Sequence, residues 1–143
     1  MIRPATDSDR PRIRTLQQLL RSPAPDLLEL ALDGAGTVLV AEDEGEVIAY
    51  ALAMPGDGDS EPSVVYLAEI VVAPGVRREG HGSRLLDALC DRFPAYDQLR
   101  LTARADDADA LSFYRGVGFW VLSELPDHYA DGDGVLLGKE LQA

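Results

Sequence analysis

A short basic stretch, VRREGHGSRLL at residues 76–86, combines two adjacent arginines with two glycines just before a predicted helix. A helix N-terminus exposes unpaired backbone N–H groups and the positive end of the helix dipole, and glycine lets the backbone approach a ligand closely. Arg77 and Arg78 can add charge-assisted contacts. These features favour binding of an anion, and a phosphate or pyrophosphate would fit this geometry. The alternative is a tight turn with solvated arginines.

Two common phosphate-binding motifs do not fit this stretch. A nucleoside-triphosphate P-loop requires lysine and then serine or threonine after its last glycine, whereas Gly82 is followed by Ser83 and Arg84. A dinucleotide fingerprint requires a third small residue where Leu85 stands, and a longer parallel array than this chain offers. Both of these readings are therefore excluded.

A carboxylate within an apolar strand is the second candidate for chemistry. Residues 64–74, VVYLAEIVVAP, are nearly all apolar and predict a central strand covered on both faces. By alternation, Glu69 shares one face of this strand with Leu67 and Val71. A carboxylate there is unusual unless it has a chemical role or a partner. Glu69 is thus a general base, a partnered structural acid, or a residue at a strand edge that reaches solvent.

The elements that must position these residues alternate between strand and helix. The pattern predicts a strand at 1–5, a helix capped by Asp7 or Asp9, and a second helix ending at Gly34. A hairpin is predicted at 37–54, with its turn near Glu44 and Gly45. The later elements are a strand at 64–74, a helix at 81–93, a strand at 98–105 and a short helix that begins at 107 and ends at Gly116 or Gly118. Two closing strands follow at 119–125 and 134–141, joined by a loop at 126–133.

This order of elements predicts the fold class. A strand, a helix and a strand in the middle of the chain give a parallel pair through a right-handed crossover, and hairpins on both sides imply a mixed sheet. We therefore expect a single α/β (α+β) domain over residues 1–143, with about six to seven strands in a central sheet and about four helices flanking it.

Composition and charge exclude several classes of protein. The 25 acidic residues exceed the 13 basic ones and give a net charge of -12, so a general attraction to nucleic acid is not expected. No window resembles a membrane span, and the first ten residues lack a signal-peptide pattern. With one cysteine, Cys90, and two histidines, a metal site is not expected. The prediction is a cytoplasmic protein, either salt-adapted or ordinarily acidic.

Two motifs resemble those of a known family. The pattern R-x-x-G-x-G, as Arg77, Gly80 and Gly82 after the apolar IVVAP, resembles the acetyl-CoA signature of the GNAT N-acetyltransferases. The later ADDADALSFYRGVGF is similar to the second half of that signature, an alanine-rich helix running into F-Y-x-x-x-G-F. The resemblance covers nearly the whole chain and implies a GNAT fold that uses acetyl-CoA as its cofactor.

The resemblance also implies a set of cofactor-binding positions. The sheet would splay between the strands at 64–72 and 98–105, where the pantetheine arm would pair with backbone at 70–72, with the pyrophosphate on amides of 78–83. One departure is Asp107, where the family usually has asparagine, so an acceptor replaces an amide donor; Asp107 can still cap the helix that follows it. The implied cofactor-binding residues are Ile70, Val71, Val72, Arg77, Arg78, Glu79, Gly80, His81, Gly82, Ser83, Asp107 and Tyr114.

The resemblance implies catalytic roles for two residues. Tyr114 stands where the family's general acid does, so its phenol would protonate the departing CoA thiolate; the alternative is an aromatic packing residue. Glu69 would accept the proton of the amine, directly or through water.

The acceptor is expected to be a primary amine of a protein N-terminus, a lysine or a small molecule. The C-terminal part resembles ribosomal-protein and N-terminal protein acetyltransferases, and His128 and Tyr129 are predicted to contact the acceptor. Thr102 stands where those enzymes carry a glutamate, which leaves the small-molecule reading open. A homodimer through the last strands is a further expectation. A non-catalytic acyl-CoA-binding regulatory domain is the alternative function.

Overall fold

A computed structural model describes residues 1–57 and 59–141. The strands are β1 (Ile2–Pro4), β2 (Thr37–Asp43), β3 (Glu46–Pro55), β4 (Val64–Val72), β5 (Gln98–Arg104), β6 (Trp120–Tyr129) and β7 (Gly132–Glu140). The α-helices are α1 (Arg10–Gln17), α2 (Pro25–Leu30), α3 (His81–Cys90) and α4 (Ala108–Gly116). Short 3-10 turns precede α1 and follow β4, and a π-turn extends α2 as far as Ala35.

The strands form a mixed sheet in the order β1-β2-β3-β4-β5-β7-β6. The β4–β5 pair is parallel, with register from Val64 opposite Gln98 to Tyr66 opposite Arg100, and β4 continues to Val72 beyond these pairs. The β1–β2, β2–β3, β5–β7 and β6–β7 pairs are antiparallel. Seven described strands and four described α-helices confirm the predicted fold class.

The chain forms two compact units. The first contains Met1–Pro55 and Leu67–Phe93, and the second contains Gly56–Tyr66 and Pro94–Ala143. Among the described residues, none of the helices combines the length and the apolar character needed to cross a lipid bilayer.

The first unit is built on the β2–β3 hairpin. Glu44 and Gly45 both have positive φ angles, 52° and 81°, as a two-residue hairpin turn requires, so the predicted turn is confirmed. On one face of the sheet, Ile13 and Leu16 of α1 and Leu28 of α2 are buried in the core. α3 contributes a separate buried row, Leu85, Leu86 and Leu89. These spacings follow the helical period, which is why the sequence predicts them.

Strand β4 is covered more on one face than on the other. Val65, Leu67, Glu69 and Val71 are buried, whereas Tyr66 and Ala68 are exposed and Ile70 and Val72 are half-buried. On the second face Val64 is also buried, so the prediction of a strand covered on both faces is wrong at Tyr66 and Ala68. Apolar composition alone cannot show whether a neighbouring element covers a given face.

In the second unit the closing hairpin is longer than predicted. The expected loop at 126–133 is wrong, because β6 continues through Tyr129 and only Ala130 and Asp131 separate it from β7. An irregularity between Leu125 and Tyr129 accommodates Pro126, and Asp127 has a φ of 55°. Because β6 is the edge strand, a proline there costs no hydrogen bond of the sheet.

Candidate functional site

The predicted anion loop lies between β4 and α3 in the first unit. After the turn Pro74–Val76 the backbone adopts positive φ angles at Arg78 (66°) and Gly80 (84°), and α3 begins at His81. A left-handed conformation costs a non-glycine residue about 1 to 2 kcal/mol, so its presence at Arg78 needs support from its surroundings. Left-handed residues in a turn can direct successive backbone N–H groups into an anion-binding concavity. The loop and the open N-terminal turn of α3 therefore suit a phosphate group.

The two arginines of the loop behave differently. The Nε of Arg77 donates to the carbonyl oxygen of Val72 at 3.0 Å, which ties the loop to the end of β4. Arg78 is exposed. Arg77 thus has a structural contact that the sequence did not indicate, while Arg78 remains at the solvent-facing surface of the loop.

His81 carries a buried ring nitrogen. Its Nδ1 lies 2.9 Å from the Nη2 of Arg84, and because arginine can only donate, Nδ1 must be the acceptor. A neutral ring then carries its proton on Nε2, which is buried and has no hydrogen-bond partner within the described part of the chain. The Oε1 of Glu79 lies 3.9 Å from Nε2, beyond hydrogen-bond distance.

Glu69 lies on β4 immediately before the predicted pantetheine-binding residues 70–72, and it is almost completely buried. Its carboxylate accepts hydrogen bonds from three neighbours. Gln17 Nε2 lies 3.0 Å from Oε1 and 3.2 Å from Oε2, the backbone N–H of Ala24 lies 2.9 Å from Oε2, and the Tyr50 hydroxyl lies 3.0 Å from Oε1. Of the three sequence alternatives, the strand edge is wrong, because Glu69 is 5% exposed. The carboxylate is well partnered, and its role as a base stays a prediction.

Tyr50 acts in this network as a permanent donor. Burial, followed by the nearby charge of Glu69 and the hydrogen bond to it, raises the pKa of the Tyr50 phenol far above its ordinary value. The hydroxyl therefore keeps its proton at any physiological pH.

Tyr114 lies on α4 in the second unit. Its ring packs against Phe113 and Phe119, with centroid distances of 5.3 Å and 5.6 Å. Burial is the main cause that raises the pKa of Tyr114 to about 12, and electrostatic interactions with Asp107 and Tyr129 add to the rise. Tyr114 is therefore protonated at neutral pH and available as a hydrogen-bond or proton donor.

Asp107 precedes α4 and caps it. Its Oδ1 accepts the backbone N–H of Ala110 at 3.1 Å, which confirms the predicted cap. The same carboxylate contributes to the raised pKa of Tyr114. An asparagine would preserve the cap and remove this charge.

An aromatic cluster at the tip of the β6–β7 hairpin includes a residue that sequence reasoning missed. The Arg104 guanidinium lies over the Tyr129 ring, 4.3 Å from its centroid, and its Nη1 is 2.6 Å from Asp131 Oδ1. The rings of His128 and Tyr129 meet edge to face at 4.8 Å. Gly134 lies against both residues, since a Cβ atom there would come within 3.1 Å of the His128 Cβ, 3.2 Å of the Tyr129 ring and 3.3 Å of the His128 ring. Arg104 follows an ordinary strand pattern, so no local signal identifies it.

The predicted site residues thus fall into two groups. The first unit holds Glu69, the strand end at 70–72 and the loop at 77–83. The second unit holds Asp107, Tyr114, His128 and Tyr129, of which Asp107 and Tyr129 both act electrostatically on Tyr114.

The sequence matches a known family model and a curated relative. The model described as the acetyltransferase (GNAT) family matches residues 6–119. The chain is 35% identical over 94 residues to mycothiol acetyltransferase from Kineococcus radiotolerans, an alignment that covers 65% of this chain and 30% of that protein. This chain spans less than a third of the length of the curated relatives it matches.

Solved structures match over nearly the full chain. The ribosomal-protein-S18-alanine N-acetyltransferase from Escherichia coli is 21% identical with a TM-score of 0.85, over 100% of this chain and 94% of that one. A GNAT family acetyltransferase from Elizabethkingia anophelis, with acetyl-CoA bound, is 21% identical with a TM-score of 0.82, over 98% of this chain and 97% of that one. At these identities the likeness establishes the fold.

The fold is an α/β fold whose first unit holds a loop that suits a phosphate group and whose second unit holds Tyr114. Because the family model covers most of the chain, the protein belongs to the acetyltransferase (GNAT) family. The predicted family is confirmed, and with it the predicted class of acyltransferase. The predicted cofactor, acetyl-CoA, is the ligand bound in the Elizabethkingia anophelis structure.

Proposed function

We propose that the chain is a single N-acetyltransferase domain that moves an acetyl group from acetyl-CoA to a primary amine by direct attack. The observation that carries this proposal is Tyr114, a phenol that is protonated at neutral pH and packs between Phe113 and Phe119 at the position that corresponds to the family's general acid. A domain that only bound acyl-CoA would have no need of a protonated donor on the helix that completes the family signature. The family match over residues 6–119 includes this helix.

The cofactor is proposed to bind through the first unit. The N–H groups of the loop at 78–83 and the first turn of α3 would hold its pyrophosphate, which the left-handed Arg78 and Gly80 support. The backbone of 70–72, beyond the last β4–β5 pair, would hold the pantetheine arm, and the N–H near Val72 would polarise the acetyl carbonyl.

The proton transfers are assigned to two side chains. Acetyl-CoA supplies the acetyl thioester. As the amine nitrogen bonds to the carbonyl carbon, Glu69 accepts the proton of the nitrogen, directly or through a water molecule. As the carbon–sulfur bond breaks, Tyr114 donates its phenolic proton to the sulfur, so CoA leaves as a thiol.

The acceptor is proposed to meet His128 and Tyr129 at the hairpin tip. The edge-to-face contact and the Arg104 cation over the Tyr129 ring hold these side chains in one arrangement. The proposed acceptor is the amine of a protein N-terminus, of a lysine or of a small molecule. We also propose a cytoplasmic location and a homodimer that forms through the last strands. Salt adaptation is tested by whether the melting temperature rises with KCl.

The first experiment is calorimetric titration of acetyl-CoA in high-KCl buffer. The wild-type protein is compared with Gly82→Glu, which introduces a carboxylate into the loop, and with Gly75→Ala, where a Cβ atom meets nothing within 4 Å. Micromolar binding to the wild type and Gly75→Ala, lost in Gly82→Glu, is the expected result. An absence of binding by the folded wild-type protein would overturn the proposal.

An amine screen that detects released CoA thiol then separates the enzyme from the alternative. We expect turnover with at least one class of amine, and a loss of about 100-fold or more in Tyr114→Phe. Tight binding without turnover for any amine would instead identify a non-catalytic acyl-CoA-binding domain.

A further inference from the structure

The carboxylate of Glu69 has every acceptor position occupied. An ionised carboxylate offers about four lone-pair positions, two on each oxygen. Oε1 receives Gln17 Nε2 and the Tyr50 hydroxyl, and Oε2 receives Gln17 Nε2 and the Ala24 N–H. We call Gln17, Ala24 and Tyr50 the Glu69 clamp. A carboxylate in this state has no oxygen position left for the proton of an amine or a water molecule.

Burial also keeps the acceptor amine from reaching the Glu69 carboxylate. Glu69 is 5% exposed, Gln17 is 4% exposed and Tyr50 is fully buried. An amine or a mediating water molecule can reach the carboxylate only if a member of the clamp moves. Tyr50 is fixed within the core of the first unit, so it is the least able to leave.

The other two members of the clamp border one short segment. Gln17 ends α1 and Ala24 directly precedes α2, and residues 18–24 between the helices form what we call the α1–α2 link. Most of this link is exposed, including Leu19 with 49% of its surface accessible. A displacement of the link would withdraw the Ala24 N–H from Oε2 and release the end of α1 that carries Gln17.

We propose that the Glu69 clamp holds the base inactive, and that displacement of the α1–α2 link frees Oε2 to accept the proton. This inference rests on the proposed function, because it assigns a control to the base of that reaction. Tyr50 keeps its bond to Oε1 throughout and orients the carboxylate. Gln17 and Tyr50 are thus positioning residues, which act on the reaction only through Glu69.

Limited proteolysis with trypsin tests whether the Glu69 clamp holds the α1–α2 link in place, and it needs neither acetyl-CoA nor an amine. Cleavage after Arg21, within the link, is measured relative to cleavage after Arg77 and Arg78 in the anion loop. Native-state cleavage follows the population in which the link is open. Gln17→Met keeps the side-chain length and removes the one amide donor, Nε2, that both carboxylate oxygens share, so we expect cleavage after Arg21 to become roughly tenfold faster or more. Gln18→Met places the same residue at the neighbouring exposed position and serves as the matched control.

The same cleavage experiment can overturn the proposal. An unchanged ratio in Gln17→Met would mean that the clamp does not hold the link. An equal rise in Gln18→Met would mean that any change near the end of α1 loosens it. Tyr50→Phe removes a bond that does not involve the link, and a cleavage increase as large as that of Gln17→Met would also contradict the assignment.

Hydrolysis of acetyl-CoA, measured by the release of CoA thiol, tests whether the clamp keeps Glu69 from acting as a base. In this reaction the water oxygen bonds to the acetyl carbon, Glu69 takes the water proton, the carbon–sulfur bond breaks, and Tyr114 protonates the sulfur, giving acetate and CoA. We expect the wild type to remain near the uncatalysed rate and Gln17→Met to exceed it by roughly tenfold, because the base is partly released. The double variant Gln17→Met with Glu69→Gln should return to the uncatalysed rate.

The outcomes separate this inference from the proposed function. If Gln17→Met does not increase hydrolysis, or if the double variant keeps the increase, Glu69 is not a base under the control of the clamp. If acetyl-CoA does not bind in calorimetry, the proposed function is wrong, and so is the control of Glu69 as a base. The ratios of trypsin cleavage would still decide whether the clamp holds the α1–α2 link.

Discussion

Asp107 offers a direct test of how the structure sets the proton affinity of Tyr114. Asp107→Asn preserves a side-chain oxygen that can cap α4 and removes one negative charge near the phenol. The pKa of Tyr114 is raised from 10.0 to about 12, and burial is the largest of three contributions that all act in the same direction. Asp107 therefore accounts for less than half of the rise, so we expect the pKa of Tyr114 to fall by less than about 1 in the variant.

The measurement is a pH titration of protein with ¹³C-labelled tyrosine rings, followed by NMR. The chain has five tyrosines, and a Tyr114→Phe sample identifies the Tyr114 signal. Because the acid must be protonated to act, activity is lost as pH rises through its pKa, so Asp107→Asn should also move this loss to lower pH. Asp109→Asn removes a charge from the same helical turn, at a residue that is not among the causes of the raised pKa, and is the control.

A pKa of Tyr114 that stays the same or rises in Asp107→Asn would refute the electrostatic reasoning. An equal fall in Asp109→Asn would show that the total charge of the helix end, rather than the position of Asp107, controls the phenol. The first of these results would leave burial as the main supported cause of the raised pKa of Tyr114.

Three further predictions concern stability and the hairpin tip. Hydrogen bonds from the Arg3 guanidinium are the main cause that lowers the pKa of Asp9 to about 2, so Asp9→Asn should cost on the order of 1 to 2 kcal/mol in the free energy of unfolding at neutral pH. Lys139 donates to the Val117 carbonyl at the end of α4, and Lys139→Met should lower stability by about 1 kcal/mol in denaturant unfolding. Gly134→Ala should displace the neighbouring aromatic rings and raise the KM for the acceptor.

Each of these has its own control. The folded pKa of Asp9 lies below the unfolded one, so its contribution is present above about pH 4 and should vanish between about pH 4 and 2; a cost independent of pH would contradict the ion pair. Glu140→Gln, a charge change at the neighbouring position, should leave α4 unaffected. Gly132→Ala meets nothing within 4 Å and should leave the KM unchanged, and an equal effect of both glycine variants would exclude ring displacement as the cause.

The sequence by itself determined the family and most of the elements. The anion loop, its helix and the tyrosine helix are local patterns, since each depends on residues within one or two turns of the chain. The hairpin turn at Glu44 and Gly45 and the Asp107 cap are local in the same sense, and the structure confirms both. Strand alternation placed Glu69 on the correct face of β4 for the same reason.

Only the tertiary structure decided what Glu69 and Tyr129 contact. The partners of Glu69 come from positions 19, 45 and 52 residues away, and the cation over the Tyr129 ring comes from Arg104 on another strand. The extension of β6 through His128 likewise depends on pairing with β7, which overrides the loop preference of Pro126 and Asp127. A side chain's chemistry depends on which donors, charges and rings surround it, and residues distant in sequence become its neighbours only when the chain folds.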